Sequence, residues 1–455
     1  MEELFSGFAR GDGMRLWLVV WSMGLGLVAA IANGQTREEK VRNDKQKIEA
    51  EGFWIYNDLQ TAWALGKQTG KPILVVLRCL PCEECVKLDD DLIDQDEILR
   101  PLLEQFICVR QVSTNGLDLS LFQFDTDQSW AMFLLNADGT IYGRFGTRSH
   151  RTEWQGDVSV PGMAEALIGA LELHSNYPAN KAALAGKRGQ PLEFSAPEKF
   201  PSLADKFSDS LDYSGNVVKS CIHCHQIGDA QRELYVSRGQ PIPEEILFPY
   251  PHPKTIGLVL DSAARAKVVH VESDSWAARA GFLPGDSIDN MAGQPLLSIA
   301  DVQWVLHQVP AKGGQVAVEV SRDQKRIPLK LDLPKDWRRS GDLSWRSSSW
   351  GLRRMLTGGL VLKPLDPKTR SEYKLDGNQM ALRVDYVGQY DAHAAGKRAG
   401  FQEHDVLVHV DGRGDLMTEG ALFHHLTSSR RVGDEVEVTV LRGAEPVKLK
   451  LPIQR

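Results

Sequence analysis

The chain has 455 residues, 42% of them hydrophobic and 25% charged, with a formal net charge of −7. It is too long for one ordinary core and suggests about three domains at roughly 150 residues each. No basic block of the kind that neutralises phosphates is present, which excludes nucleic acid as an expected partner.

Residues 1–34 read as a signal peptide. An apolar run, 16–32, follows Arg15, and Ala30-Ile31-Ala32 supplies the small residues a signal peptidase needs. Glu2, Glu3 and Asp12 are unusual ahead of such a run, and a start at Met14 gives a more ordinary signal. The alternative is a membrane tether through 16–32, at the short limit for a span. Either reading exports the body of the protein, to the periplasm or cell envelope. Residues 35–51 are a highly charged linker or helix. Export makes the six cysteines informative: Cys79, Cys82, Cys85, Cys221 and Cys224 fall into two tight clusters, and Cys108 stands apart. A disulfide framework scatters its cysteines; clustering indicates chemistry.

Residues 52–174 alternate helix and strand patterns. Helical spacing runs over 53–67 and stops at Gly70-Lys71-Pro72. Buried strands are predicted at 73–77, 106–109 and 132–135, a turn at Asn136-Ala137-Asp138-Gly139, a hairpin strand over 140–145 and a helix over 163–173. The segment Arg78-Cys79-Leu80-Pro81-Cys82-Glu83-Glu84-Cys85 follows the first strand and precedes a helical pattern through Leu88 and Leu92. A CxxC at a helix N-terminus gains thiolate stabilisation from unpaired N–H groups and the helix dipole, and its second cysteine can resolve a mixed disulfide. Lys71-Pro72, the apolar strand and the CxxC together resemble the thioredoxin superfamily over about 120 residues. The resemblance implies an α/β domain with Cys82 as attacking and Cys85 as resolving thiol. Two features depart from it. Trp130 stands where that superfamily places a cis-proline, and Cys79 adds a third sulfur. Three adjacent thiols also suit a soft metal such as copper or zinc, and a structural disulfide is a further alternative.

Residues 175–210, with Pro178, Pro191, Pro197 and Pro201 among polar residues, read as a linker. In 211–253, Cys221-Ile222-His223-Cys224-His225 is a CxxCH motif. Its thiols are spaced to add across the two vinyl groups of haem, and His225 then ligates the iron. The motif resembles the attachment site of c-type cytochromes and implies covalent haem c on Cys221, Cys224 and His225. The usual downstream methionine is missing, and His252 is the nearest candidate for the distal position. The alternatives are a disulfide hairpin or a zinc site that uses Cys221, Cys224, His225 and His252.

Residues 254–455 contain an internal repeat, offset by 119 or 120 positions. Arg279-Ala280-Gly281-Phe282 recurs as Arg398-Ala399-Gly400-Phe401, Asp286 as Asp405, Gly293 as Gly412 and Leu306 as Leu426. Alternating strands at 316–322 and 436–442 complete each copy. Thr255-Ile256-Gly257-Leu258, a strand at 267–271, a short helix and Gly281-Phe282-Leu283-Pro284-Gly285-Asp286 resemble the PDZ domains of bacterial HtrA-type proteins. The resemblance implies a groove that binds protein or peptide C-termini through Ile256, Gly257 and Leu258, with Leu306 lining it. Thr357-Gly358-Gly359-Leu360 is the second copy's counterpart; Gly358 and an insertion before Met380 set it apart. No Gly-x-Ser-Gly-Gly segment is present, so a serine protease is not expected. The expected chain is multidomain: a thioredoxin-like α/β domain, a short haem-attachment segment and two β-rich PDZ-like modules at 254–335 and 336–455. The expected function is exported thiol/haem redox chemistry with partner recruitment. The alternatives are an envelope scaffold with structural cysteine pairs and a soft-metal protein.

Overall fold

In the computed structural model, residues 36–78, 97–128, 130–147 and 157–454 are described. Cys79, Cys82, Cys85, the helical pattern through Leu88 and Leu92, and the export segment 1–34 lie outside them. Among the described residues, no helix is long and apolar enough to cross a membrane.

Strands β1 (Ile55–Tyr56), β2 (Ile73–Arg78), β3 (Ile107–Gln111), β4 (Trp130–Leu135) and β5 (Ile141–Thr147) form one sheet in the order β1-β3-β2-β4-β5. β2 runs parallel to β3 and antiparallel to β4. Every residue of β2 and β4 is buried, as continuous apolar runs require when both sheet faces are covered. Alternate side chains divide between the faces. Leu74, Val76, Met132 and Leu134 meet helices α1 (Arg37–Glu51) and α3 (Val160–Ser175), while α2 (Leu59–Thr69) covers the opposite face with Ile73, Val75, Ala131 and Phe133.

Two segments differ from expectation. The helix predicted over 53–67 begins only at Leu59. Asp58 caps it by accepting from the Thr61 N–H (3.0 Å), and Ile55–Tyr56 pair with β3 instead. The apolar spacing of 53–56 served an edge strand, and helical periodicity could not distinguish the two. Residues 175–210, read as a linker, pack closely: Leu184, Lys187, Phe200 and Leu203 are buried, and Phe200 and Leu203 join the core beneath β2 and β4. Few apolar side chains among many polar ones hid this role.

The repeat is visible as two related modules. The first holds the ribbon β6 (Leu258–Leu260) and β7 (Val268–Val271) and a sheet in the order β11-β10-β8-β9, from β8 (Ser287–Met291), β9 (Gln294–Pro295), β10 (Gly314–Arg322) and β11 (Lys325–Leu333). Between these strands lie α5 (Trp276–Ala280) and α6 (Ile299–Gln308). α4 (Cys224–Ser237) precedes the module. In the second module, β12 (Leu360–Pro364), β13 (Leu382–Val387), β14 (Val406–Val410), β15 (Glu435–Arg442) and β16 (Glu445–Pro452) form one sheet in chain order, with α7 (Ser349–Thr357) and α8 (Glu419–Ser429) beside it. Each copy closes the same corner with the same side chains. Arg322 binds both oxygens of buried Asp286 and the Gly281 carbonyl at 2.7–2.8 Å; Arg442 binds Asp405 and the Gly400 carbonyl at 2.8 Å.

Candidate functional site

β2 and β3 run parallel, so their carboxyl ends share one edge of the sheet. β2 ends at Arg78, paired in register with Trp130, one residue before Cys79. Arg78 is almost wholly buried and its guanidinium donates to Asp44 of α1 at 2.6 Å. Just past β3, Thr114 and Asn115 grip the CxxCH segment. The Ile222 carbonyl accepts from the Thr114 hydroxyl (2.8 Å) and N–H (3.2 Å), and the Ile222 N–H donates to Asn115 Oδ1 (2.8 Å). Asn115 Nδ2 donates to the Ser208 and Ser220 carbonyls at 2.7 and 2.9 Å. Ile222, wholly inaccessible, joins Ile227 and Ala230 in the core beneath the sheet. The motif is therefore seated on the edge at which β2 ends, at Arg78.

The second cysteine opens a helix. Asn216 caps the turn before it. α4 starts at Cys224, with His223 and Gln226 forming a reciprocal capping pair; the His223 N–H donates to Gln226 Oε1 at 2.8 Å. Neither Cys221, which is buried, nor Cys224, which is partly exposed, is in a disulfide. Burial, then the neighbouring His225 and Arg37, lower the pKa of His223 to about 4, so its ring is neutral at pH 7. His225 is half exposed, and its Nδ1 lies 3.5 Å from Asp229 Oδ2, one helical turn on. Burial alone would raise the Asp229 pKa, but His225 and Arg232 hold it below the ordinary carboxylate value. A carboxylate on Nδ1 is the usual partner of a histidine that ligates metal through Nε2.

His252 is engaged elsewhere. Its Nε2 is 3.3 Å from Asp157 Oδ1 and its Nδ1 accepts from the Lys254 N–H at 3.2 Å. Among the described residues, no group of three or more His, Cys, Asp or Glu is arranged to hold a metal ion. Asn115 and Asp229 were not singled out in the sequence. Asp229 had a signal, a carboxylate four residues after a histidine on one helix; Asn115 had none beyond a polar run after an apolar strand.

In the first module, Ile256, Leu258 and Leu306 come together in one cluster and are wholly inaccessible. Pro253–Ile256 wind into a 3-10 turn that ends at Gly257, in the left-handed region at φ 81°, whose N–H donates to the Lys254 carbonyl (3.0 Å). α6 is pinned at its far end by Arg338, which donates to the His307 carbonyl at 2.7 Å, and by the Tyr250 ring stacked 4.0 Å from His307.

Residues 54–137 match the family model described as thioredoxin-like. The chain contains a thioredoxin-like domain. Two curated relatives are each named as a probable periplasmic serine endoprotease, DegP-like. The one from Pseudomonas fluorescens is 27% identical over 183 residues, 40% of this chain and 36% of the relative. The one from Pseudomonas savastanoi pv. phaseolicola is 26% identical over 186 residues, with the same coverage. The chain thus spans little more than a third of the length of these relatives. Among solved structures, an HtrA-type protease AlgW with tripeptide is 19% identical over 28% of this chain and 39% of that one, at a TM-score of 0.19. AlgW with decapeptide is 15% identical over 30% and 55%, at 0.18.

Proposed function

We propose that this protein is an exported thiol/haem redox protein whose PDZ-like modules recruit partner proteins or peptides. The observation that carries the reading is the seating of Cys221–His225 on the carboxyl edge of the thioredoxin-like sheet, held by Thr114 and Asn115. Cys82 and Cys85, which follow β2 in the sequence, are the proposed dithiol. Cys221 and Cys224 would hold haem c, each through one thioether link, and His225, oriented by Asp229, would ligate its iron. Bound there, the group supplies one-electron transfer. Likeness to DegP-like relatives supports periplasmic placement and PDZ-type modules.

The test is the intact mass and absorption spectrum of protein made in a host competent for haem c maturation. One haem increment with thioether-linked Cys221 and Cys224 is expected. Unmodified cysteines in that host overturn the haem assignment. For the dithiol, a Cys85→Ser variant is expected to accumulate mixed disulfides through Cys82.

A second reading, an envelope scaffold, is favoured by one observation: Ile256, Leu258 and Leu306 have no accessible surface. C-terminal peptides that bind the full chain, and lose binding when amidated, decide for recruitment.

A further inference from the structure

β12 is an edge strand, and a peptide added between it and α8 would use the ladder groups on that edge. Two of those groups already have partners. The Leu362 N–H donates to Glu419 Oε1 at 3.1 Å, and the Leu360 carbonyl accepts from the Thr357 hydroxyl at 3.1 Å. Glu419 is buried and locked by Arg353 of α7, Nε to Oε1 at 3.0 Å and Nη2 to Oε2 at 2.7 Å. Arg353, also buried, is braced by Ser349 at 3.0 Å. Leu352 and Leu356 of α7 pack into one cluster with Leu360, Leu362, Phe423 and Leu426, the apolar lining of the space between strand and helix. The loop that would cradle a terminal carboxylate is closed too: the N–H groups of Gly358 and Gly359 both point back to the Arg353 carbonyl, where they cap α7.

We propose that Ser349–Thr357 is an intramolecular stopper of the second module's groove, and that a peptide C-terminus enters there only when this helix is displaced. The proposal rests on the PDZ-like reading of the modules. The helix also faces a cleft: Gly351, Arg354 and Met355 line a space of about 690 Å³ together with Gln226, Asp229 and Glu233 of α4. The stopper therefore shares this cleft with the helix that begins at Cys224.

The experiment compares the full chain with Arg353→Ala, which leaves Glu419 without its guanidinium, and Arg353→Lys, which keeps the charge but loses the fork. Fluorescence polarisation against a C-terminal peptide library and hydrogen exchange over 349–364 are read on each. Exchange in α7 and at the Leu362 amide is expected to rise at least tenfold in Arg353→Ala and less in Arg353→Lys. A new peptide-binding event, at least tenfold tighter than any at this module in the wild type, is expected to appear with it. If Arg353→Ala does not fold, the same ordered gain is read on Arg353→Lys. A folded variant with a loosened α7 and no added binding overturns the stopper alone when the wild type binds at its first module. No binding by any form overturns the peptide reading and the stopper together.

Discussion

Arg346 carries two carboxylates on one guanidinium. It donates to Asp125 at 2.7 Å and to Asp127 at 3.2 Å, and Ser348 closes the knot with its N–H and hydroxyl on Asp127 (2.9 and 2.6 Å). All four side chains are buried. Two buried anions against one cation leave one negative charge uncompensated, which is costly in a medium of low polarisability. Burial, against the pull of Arg346, raises Asp125 to about 6. An acid whose folded pKa exceeds its unfolded value near 4 contributes stability that is complete below that value and lost as pH rises through about 6. Asparagine resembles the protonated acid. Asp125→Asn is therefore expected to gain on the wild type between pH 4 and pH 7, by up to about 3 kcal/mol from two pKa units. Urea denaturation across that range reads it, and parallel stability profiles for the two proteins would count against the charge argument.

At the scale of elements, the strands declared themselves. Ile73-Leu74-Val75-Val76-Leu77 and Met132-Phe133-Leu134-Leu135 have no polar residue to expose, so both faces had to be covered, and both are. The repeat was equally legible, because the corner that needs Asp286 and Arg322 needs Asp405 and Arg442 for the same reason. What could not be read is who supplies the cover. Phe200, Leu203 and Ile222 look like isolated apolar residues in polar surroundings, yet they finish the core beneath β2. Their placement depends on hydrogen bonds such as those of Asn115, which leave no periodic trace. The expected cost of Asn115→Ala follows from three partners left unsatisfied, the Ile222 N–H and the Ser208 and Ser220 carbonyls. It is about 1–3 kcal/mol. In protein made in a host without haem c maturation, native-state alkylation of Cys221 is expected to accelerate at the same time. Cys108, buried in β3 with its thiol pKa pushed up by burial, serves as the internal control and keeps its rate. Equal acceleration at both sites would indicate global loosening rather than release of the CxxCH segment.

At the scale of the molecule, the modules expected in series are fused. Residues 37–455 form one unit. Lys187 is wholly buried against Asp301 (2.8 Å), Asp301 also accepts from the Arg144 N–H (3.1 Å), and the Arg144 guanidinium lies 3.8 Å from the Trp304 ring centroid. Leu297 of the first module joins the core of the thioredoxin-like domain. This joint makes a prediction opposite in sign to the local one. Gly162 occupies the first turn of α3, where alanine on helix propensity alone would stabilise by about 1 kcal/mol. A Cβ there would stand 1.9 Å from the carbonyl oxygen of Ser262 in the first module, a backbone atom that cannot swing aside. The Ser159 hydroxyl, which caps α3, holds that same carbonyl at 2.9 Å. Gly162→Ala must then either part the two bodies or distort the helix start, and it is expected to destabilise by at least about 2 kcal/mol. Because Trp304 and Asp301 would be uncovered if the bodies parted, the wild type is expected to melt in a single transition and the variant to show an earlier one. Calorimetry on the full chain reads both, and a variant that melts at or above the wild-type temperature would show that the joint does not bear on stability.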